Sequence, residues 1–175
     1  DITLYAKWTA NTYTLSYNYN GATGGNSETG KTVTYDSTYG ALPSPTRSYT
    51  ITFDSKGGSA CNNQTATWNF GGWYNGSTKV DKDTTVSTVG NHTLTASWNG
   101  GTISLPTPTR EGYIFEGWYK EAACTTKVSE AEYTPTSNIT VYAKWTPITY
   151  AVAYNGNGAT GGNSEKCRQE KYDSK

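Results

Sequence analysis

An eight-residue segment near the start of the chain matches the phosphate-loop pattern G-x-x-x-x-G-K-[ST]. It is Gly25–Thr32, with the sequence GNSETGKT, and it follows a strand-like stretch. In a nucleotide-binding loop the backbone amides wrap the phosphates, the Lys reaches the β and γ oxygens, and a helix begins at once. Here the chain continues from Thr32 as TVTYDSTYG, whose residues alternate and are rich in Thr, as strands are. The segment therefore predicts a decorated hairpin turn, because nucleotide binding through Lys31 needs a helix after Thr32.

Other side chains that could do chemistry are sparse. His92 is the only histidine, and a general base or a metal ligand needs partners that scattered carboxylates do not supply. It takes the first position of a strand signature, where it is expected to fill the strand edge. Asp81 and Asp83 flank Lys82 without the Gly and the terminal Glu of an EF-hand loop, so we expect a solvated turn. We expect no catalytic, cofactor-binding or metal-binding residues, and we predict that the chain is not an enzyme.

The three cysteines, Cys61, Cys124 and Cys167, are widely spaced, unlike the ligands of a zinc motif or a dense disulfide framework. A single bridge between Cys61 and Cys124 and a set of three free thiols are both compatible with this spacing.

Composition limits the fold classes and the kinds of partner that are expected for this chain. The 14 basic residues balance the 14 acidic ones without a basic stripe, so nucleic acid is not an expected partner. No apolar run approaches the roughly 20 residues of a membrane span, so direct membrane insertion is not expected. With 15 Tyr, 6 Trp and 19 Gly, the chain favours strands and tight turns over helices. Because it has neither Met nor a signal peptide, we expect an excised piece of a longer product.

The strongest sequence feature is an internal repeat. Residues 2–37 align on residues 139–174 at an offset of 137, and 20 of the first 27 positions are identical. Four shorter signatures recur within this period. They are an opening strand starting at Tyr13, Tyr49 and Thr149; LPxPTR at Leu42–Arg47 and Leu105–Arg110; FxGWY at Phe70–Tyr74 and Phe115–Tyr119; and a closing strand starting at Ile2, His92 and Ile139. The strand signatures alternate with period two, as half-buried strands do.

The order of the signatures is irregular. Arg47 precedes Trp73 by 26 residues, whereas Arg110 precedes Trp118 by 8. The second unit lacks an opening strand of its own and the first unit has one extra. We therefore hypothesise that Tyr49–Gly58 is lent to the sheet of the second unit, coupling the two into one rigid module. The signatures divide the chain into four segments: residues 1–10 (closing strand of a preceding repeat), 11–98 (first unit with the extra strand), 99–146 (second unit) and 147–175 (start of a further, truncated repeat).

Aromatic residues are the expected core. Few aliphatic residues are available, and the Trp residues recur at the same positions: Trp73 and Trp118 in FxGWY, and Trp8, Trp98 and Trp145 at the ends of closing strands, while Trp68 takes the position of Tyr113. Alternation places Tyr5 and Tyr142 on the opposite strand face, so Tyr142 is the first candidate for a binding platform. Arg47 and Arg110 are expected to act as structural clamps that stack on rings or bridge to the sheet. The N-x-T and N-x-S sequons at Asn63, Asn75, Asn91 and Asn138 follow from Thr and Ser richness.

The string LPTPTREGYIFEGWY at Leu105–Tyr119, followed by NITVYAKW at Asn138–Trp145, closely resembles the internalin B-type repeat, also called the Listeria–Bacteroides repeat. The match to the family pattern includes Arg110, Gly112, Tyr113, Phe115, Gly117, Trp118 and Tyr119, and then Tyr142, Ala143 and Trp145. PTRSYT at Pro45 departs from the pattern because GYxFxGWY does not follow it directly. The resemblance implies small β-grasp-like sheets, repeated in tandem in secreted or wall-anchored bacterial proteins.

We accordingly expect a mainly-β structural or adhesive module of an extracellular bacterial surface protein, acting as a spacer stalk or a low-affinity adhesive array. Its expected partners are neighbouring repeats of the same polypeptide. The alternative is a module that binds carbohydrate or a host receptor through exposed aromatic rings. The segment Lys166–Lys171 is expected to fray or to pair with an edge strand of another chain.

Overall fold

The computed structural model describes residues 1–128, 131–158, 160–162 and 167–172, and over these ranges it contains strands and no helix. A mainly-β fold is therefore confirmed, while its β-grasp-like arrangement stays a prediction. The strands are β1 (Thr12–Asn18), β2 (Gly30–Thr34), β3 (Arg47–Asp54), β4 (Gln64–Asn75), β5 (Thr78–Val80), β6 (His92–Gly100), β7 (Ile103–Ser104), β8 (Tyr113–Tyr119), β9 (Glu132–Tyr133), β10 (Ile139–Pro147), β11 (Thr149–Ala153) and β12 (Cys167–Lys171).

The chain forms two compact units, and neither is continuous in sequence. Unit 1 comprises Asp1–Ser48 and Ala66–Thr102, and unit 2 comprises Tyr49–Thr65 and Ile103–Lys175. The chain thus passes from unit 1 to unit 2, back to unit 1, and again to unit 2. The two units are therefore interleaved along the sequence. The division between residues 98 and 99 that the sequence signatures indicated treats each unit as one continuous segment.

In unit 1 the sheet order is β2-β1-β6-β4, with β5 added to β4. The opening strand β1 pairs antiparallel with β2 and parallel with the closing strand β6, where Leu15 lies opposite His92. β6 in turn pairs antiparallel with β4, and the register shifts between Phe70 and Gly72. Gly72 has a φ of 117°, which L side chains rarely adopt, so this shift requires glycine.

Unit 2 repeats this design with the lent strand. β3 pairs parallel with the closing strand β10, with Ile51 opposite Ile139 and Phe53 opposite Val141, and β10 pairs antiparallel with β8. The pairing that the lent-strand hypothesis requires is therefore present. The rigid coupling of the two units stays a prediction.

Each unit buries its own aromatic core. Trp73 and Trp118 are each 2% exposed, which confirms their predicted role. Trp73 packs against Tyr17 at a centroid distance of 5.0 Å, and Trp118 packs against Phe53 at 4.8 Å. Aliphatic side chains complete the cores: Leu15, Val33, Val80, Val86 and Leu94 in unit 1, and Ile51, Val128 and Val141 in unit 2. Alternation places the residues that lie on strands inward, so binary pattern and burial agree there, while Val86 and Val128 come from loops.

The two ends of the chain differ in strand content. Residues 1–11 form no strand and Trp8 is 89% exposed, and the role expected for residues 1–10, to close a preceding repeat, stays a prediction. The closing strands that do form are each held between an opening strand and an FxGWY strand. Conversely, Cys167–Lys171 forms β12 and pairs with β11 of the same chain, in the register that β2 has with β1. A hairpin needs only local partners, which is why this one forms; Lys166 lies outside the described residues.

Candidate functional site

An arginine stacked on an aromatic ring recurs in each unit. The guanidinium carbon of Arg47 lies 4.2 Å from the ring centroid of Trp68, and that of Arg110 lies 3.8 Å from the ring of Tyr113. Each Arg also donates a hydrogen bond to a backbone carbonyl of the turn after an opening strand, Asn20 at 3.4 Å and Lys56 at 3.2 Å. Stacking and hydrogen bonding together hold the LPxPTR segment against the sheet. The predicted clamps are confirmed.

The indole N–H groups fix the same segments. Trp73 donates to the carbonyl of Pro43 at 2.8 Å, and Trp118 donates to that of Pro106 at 2.7 Å. At the ends of the closing strands, the Trp98 indole donates to the backbone carbonyl of Tyr19 at 3.2 Å, and the Trp145 indole donates to that of Ser55 at 2.8 Å. Buried indoles need such acceptors, and both units supply them at equivalent positions. These Trp residues therefore serve the architecture of each unit.

Two asparagines that sequence analysis treated only as sequons have a structural role. The side-chain carbonyl of Asn91 accepts a hydrogen bond from the backbone N–H of Thr14 at 2.8 Å, and that of Asn138 accepts one from Thr50 at 2.9 Å. Each Asn immediately precedes a closing strand and satisfies an amide of the opening strand beside it. Both Asn residues directly precede a closing-strand signature, and this shared position was the sequence signal that could have identified their role.

A pocket beside the LPxP segment is present in both units. In unit 1 it has a volume of about 400 Å³, with an apolar floor that includes Leu42, Phe70 and Trp73 and a rim that includes Lys79. In unit 2 the equivalent pocket is about 220 Å³ and is lined by Thr107, Phe115, Gly117 and Lys127, among others. In both, the lysine stem covers the glycine at the register shift: a Cβ on Gly72 or Gly117 would lie 2.6 Å from the lysine Cε.

Tyr142, the predicted platform, is half-buried. The ammonium of Lys56 lies 5.2 Å from its ring centroid, within the range of a cation–π contact. Tyr142 pairs with Tyr119 across β10 and β8, and the ammonium of Lys144 lies 5.1 Å from the Tyr119 ring. This region, the Tyr-Lys patch (Lys56, Tyr119, Tyr142 and Lys144), combines two aromatic rings with two positive charges.

The segment that matches a phosphate loop leads into a strand. Gly30–Thr34 is β2, which pairs antiparallel with β1, and the Lys31 ammonium donates a hydrogen bond to the Ala41 carbonyl. The hairpin interpretation is therefore confirmed. The second copy of this segment, Gly162–Gln169, includes residues 163–166, which lie outside the described residues.

The other chemical candidates are structural as well. His92 shares hydrogen bonds with the Tyr39 hydroxyl at 2.9 Å and the Gly90 carbonyl at 3.0 Å, at the start of β6. The Asp81 carboxylate accepts hydrogen bonds from Asp83 and Thr84, mainly the Thr84 hydroxyl, and these hold its pKa below the usual value. This is the expected solvated turn. Over the described ranges, no group of three or more His, Cys, Asp or Glu side chains could hold a metal ion.

All three cysteines are free thiols in the structure, so the Cys61–Cys124 bridge is not formed. Cys61 and Cys124 are half-buried and belong to unit 2, and Cys167 is exposed. Burial raises the pKa of the Cys61 thiol and so disfavours its reactive thiolate.

Two copies of one strand-and-clamp design, built from interleaved segments, define the class: an all-β tandem-repeat protein. The chain belongs to the Listeria-Bacteroides repeat domain family, whose model matches residues 13–48, 66–97 and 99–144. The family match breaks off at Ser48 and resumes at Ala66, the two points where the chain leaves unit 1 and returns to it. Sequence family and structure thus mark the same inserted segment.

Two relatives come from Evansella cellulosilytica. One, named "Putative membrane protein", is 28% identical over 99% of this chain and 27% of its own length. The other, named "Putative Gly-rich membrane protein", is 26% identical over 91% of this chain and 19% of its own length. The chain therefore spans about a quarter or less of either relative. No solved structure matches it significantly. In the part of the chain that the structure describes, no helix is long and apolar enough to cross a membrane.

Proposed function

We propose that this chain is a structural repeat module of an extracellular bacterial surface protein, acting as a spacer stalk or a low-affinity adhesive array. The observation that carries the proposal is the duplication of one contact set: clamp, indole hydrogen bonds and Asn acceptor recur in both units. The aromatic and arginine side chains of this chain build the same unit twice, which suits a protein that extends a repeat array. In such an array, neighbouring repeats are the first partners. The names of the relatives support a location at the cell envelope.

The spacer role is tested with tandem chains of one, two and three 137-residue periods, measured by small-angle X-ray scattering. A stalk gains a constant increment in maximum dimension with each period. Growth with the square root of the number of residues would instead indicate flexibly linked beads and would contradict the spacer role.

The second candidate function is recognition of a carbohydrate or a host receptor, and the Tyr-Lys patch favours it. Partly exposed rings beside ammonium groups supply both apolar contact area and polar contacts. Labelled chain is applied to a glycan array and to host epithelial cells, and wild type is compared with Tyr142→Ala. The matched control is Tyr154→Ala, because Tyr154 is 55% exposed and lies outside the patch. Saturable binding that only Tyr142→Ala abolishes supports recognition through the patch, and binding that neither variant changes contradicts it.

A further inference from the structure

Unit 1 contains a groove of about 290 Å³ whose lining includes Arg47, Trp68, Tyr74, Thr95, Ser97 and Trp98. This volume lies just below the range of pockets that enclose drug-sized molecules, so it suits a single small ring. Aromatic side chains form part of the wall, and short hydroxyl side chains form another part. We propose that this groove, here called the sugar groove, binds one uncharged hexose ring of a glycan. This inference goes beyond the recognition function proposed above, because the sugar groove lies in unit 1 and the Tyr-Lys patch lies in unit 2.

The polar groups of the groove are available to a ligand. Over the described ranges, the hydroxyls of Tyr74, Thr95 and Ser97 make no hydrogen bond to another residue, and all three side chains are half-buried. A hydroxyl donates one hydrogen bond and accepts two, which matches the paired donor and acceptor character of sugar hydroxyls. Partly buried polar groups without partners gain more from a ligand than fully solvated ones do.

The aromatic groups supply the complementary surface. Trp98 packs on Phe70 at 5.5 Å, and Trp68 is held beneath the Arg47 guanidinium, so both rings are fixed before a ligand arrives. The C–H face of a hexose packs on the Trp98 ring without a large entropic cost, whereas the Trp68 ring, covered by Arg47, forms part of the wall. The Arg47 guanidinium keeps its charge while it stacks on the Trp68 ring and donates to the Asn20 carbonyl, and the other polar groups of the lining are neutral. These neutral hydroxyls favour a ligand that is held through hydroxyl groups of its own.

Unit 2 carries larger side chains at the key positions. Tyr142 takes the place of Thr95 and Lys144 takes that of Ser97 in the equivalent closing strand. The Lys144 ammonium lies over Tyr119, which is the counterpart of Tyr74. The same scaffold therefore presents free hydroxyls in unit 1 and a ring-and-ammonium surface in unit 2, so the sugar groove is a property of unit 1.

The test uses the full chain labelled with ¹⁵N and titrated separately with glucose, galactose, mannose, N-acetylglucosamine and glucuronate. At least one uncharged hexose is expected to shift the amides of Thr95 and Ser97 and the indole N–H of Trp68 saturably. The double variant Thr95→Tyr/Ser97→Lys, which copies unit 2, is expected to bind at least about tenfold more weakly. Tyr74→Phe, a smaller change, is expected to weaken binding as well, with Tyr119→Phe in unit 2 as its matched control.

Three results would overturn the proposal: no saturable shift with any sugar, shifts with glucuronate alone, or equal affinity in wild type and the double variant. The dispersion of the spectrum reports whether each variant is folded. Recognition through the Tyr-Lys patch is read separately, because Tyr142→Ala leaves the sugar groove unchanged. The scattering series on the tandem chains tests the spacer role without any ligand.

Discussion

Tyr17→Phe is expected to stabilise the protein, by an amount that grows with pH. Tyr17 is 9% exposed, its hydroxyl is enclosed, and it has no hydrogen-bond partner among the described residues. Unit 2 has Phe53 at the same position, against the equivalent Trp. An enclosed hydroxyl without a partner costs about 1–3 kcal/mol. We therefore expect Tyr17→Phe to raise the free energy of unfolding by about 1 kcal/mol at pH 8.

The pH dependence follows from the ionisation of the phenol. Burial, then the nearby Glu28 charge, then Tyr19, raises the pKa of Tyr17 from 10.0 to about 12 in the folded state. The folded protein therefore holds this proton more tightly than the unfolded chain does, so the associated stability is intact below pH 10. It is lost as the pH rises from 10 towards 12, and the loss amounts to about 1 kcal/mol at pH 11. The advantage of Tyr17→Phe should grow by this amount.

The assay is urea unfolding of wild type and Tyr17→Phe at pH 8 and pH 11, followed by tryptophan fluorescence. Comparing the two proteins at each pH cancels the contributions of the other tyrosines. The matched control is Tyr5→Phe, because Tyr5 is 89% exposed and touches no core. A difference between wild type and Tyr17→Phe that is the same at both pH values would refute the reasoning, as would destabilisation by Tyr17→Phe at pH 8.

Three further predictions concern the architecture. Unit 1 made continuous by removing residues 49–65 should still unfold cooperatively in urea, because its clamp and its sheet use its own residues; a non-cooperative melt would contradict the interleaved design. Trp118→Phe should lower the free energy of unfolding by about 1–3 kcal/mol, since the Pro106 carbonyl loses its donor, and an unchanged urea midpoint would argue against that hydrogen bond. Asn138→Ala should cost about 1 kcal/mol through the amide of Thr50, whereas Asn138→Asp, which keeps the acceptor, should cost less; equal losses would exclude this role.

The strand content and the lent strand could be predicted from the sequence because both depend on local pattern and spacing. Alternation alone placed Leu94 and Ala96 inward, and both are buried. The 18-residue difference between the Arg47–Trp73 and Arg110–Trp118 spacings indicated an inserted segment, and the structure assigns residues 49–65 to unit 2. Signatures that recur in one chain thus act as an internal alignment.

Features that depend on tertiary partners could not be predicted in this way. Ile2–Trp8 has the pattern of a closing strand, but a strand also needs neighbours, and pattern does not reveal whether they are present. The sugar groove depends on side chains from separate segments, such as Arg47, Trp68 and Thr95, which no spacing rule brings together. The Asn91 and Asn138 acceptors were overlooked because a short polar side chain before a strand has many alternative roles.

Tyr49–Thr65 completes unit 2 although it interrupts unit 1 in the sequence. The most direct measurement is a nuclear Overhauser spectrum of the labelled chain, which reports backbone protons on neighbouring strands. We expect cross-strand contacts between Thr52 and Thr140, as the parallel pairing of β3 with β10 requires. Contacts from Thr52 to the closing strand of unit 1, β6, with none to Thr140, would contradict it.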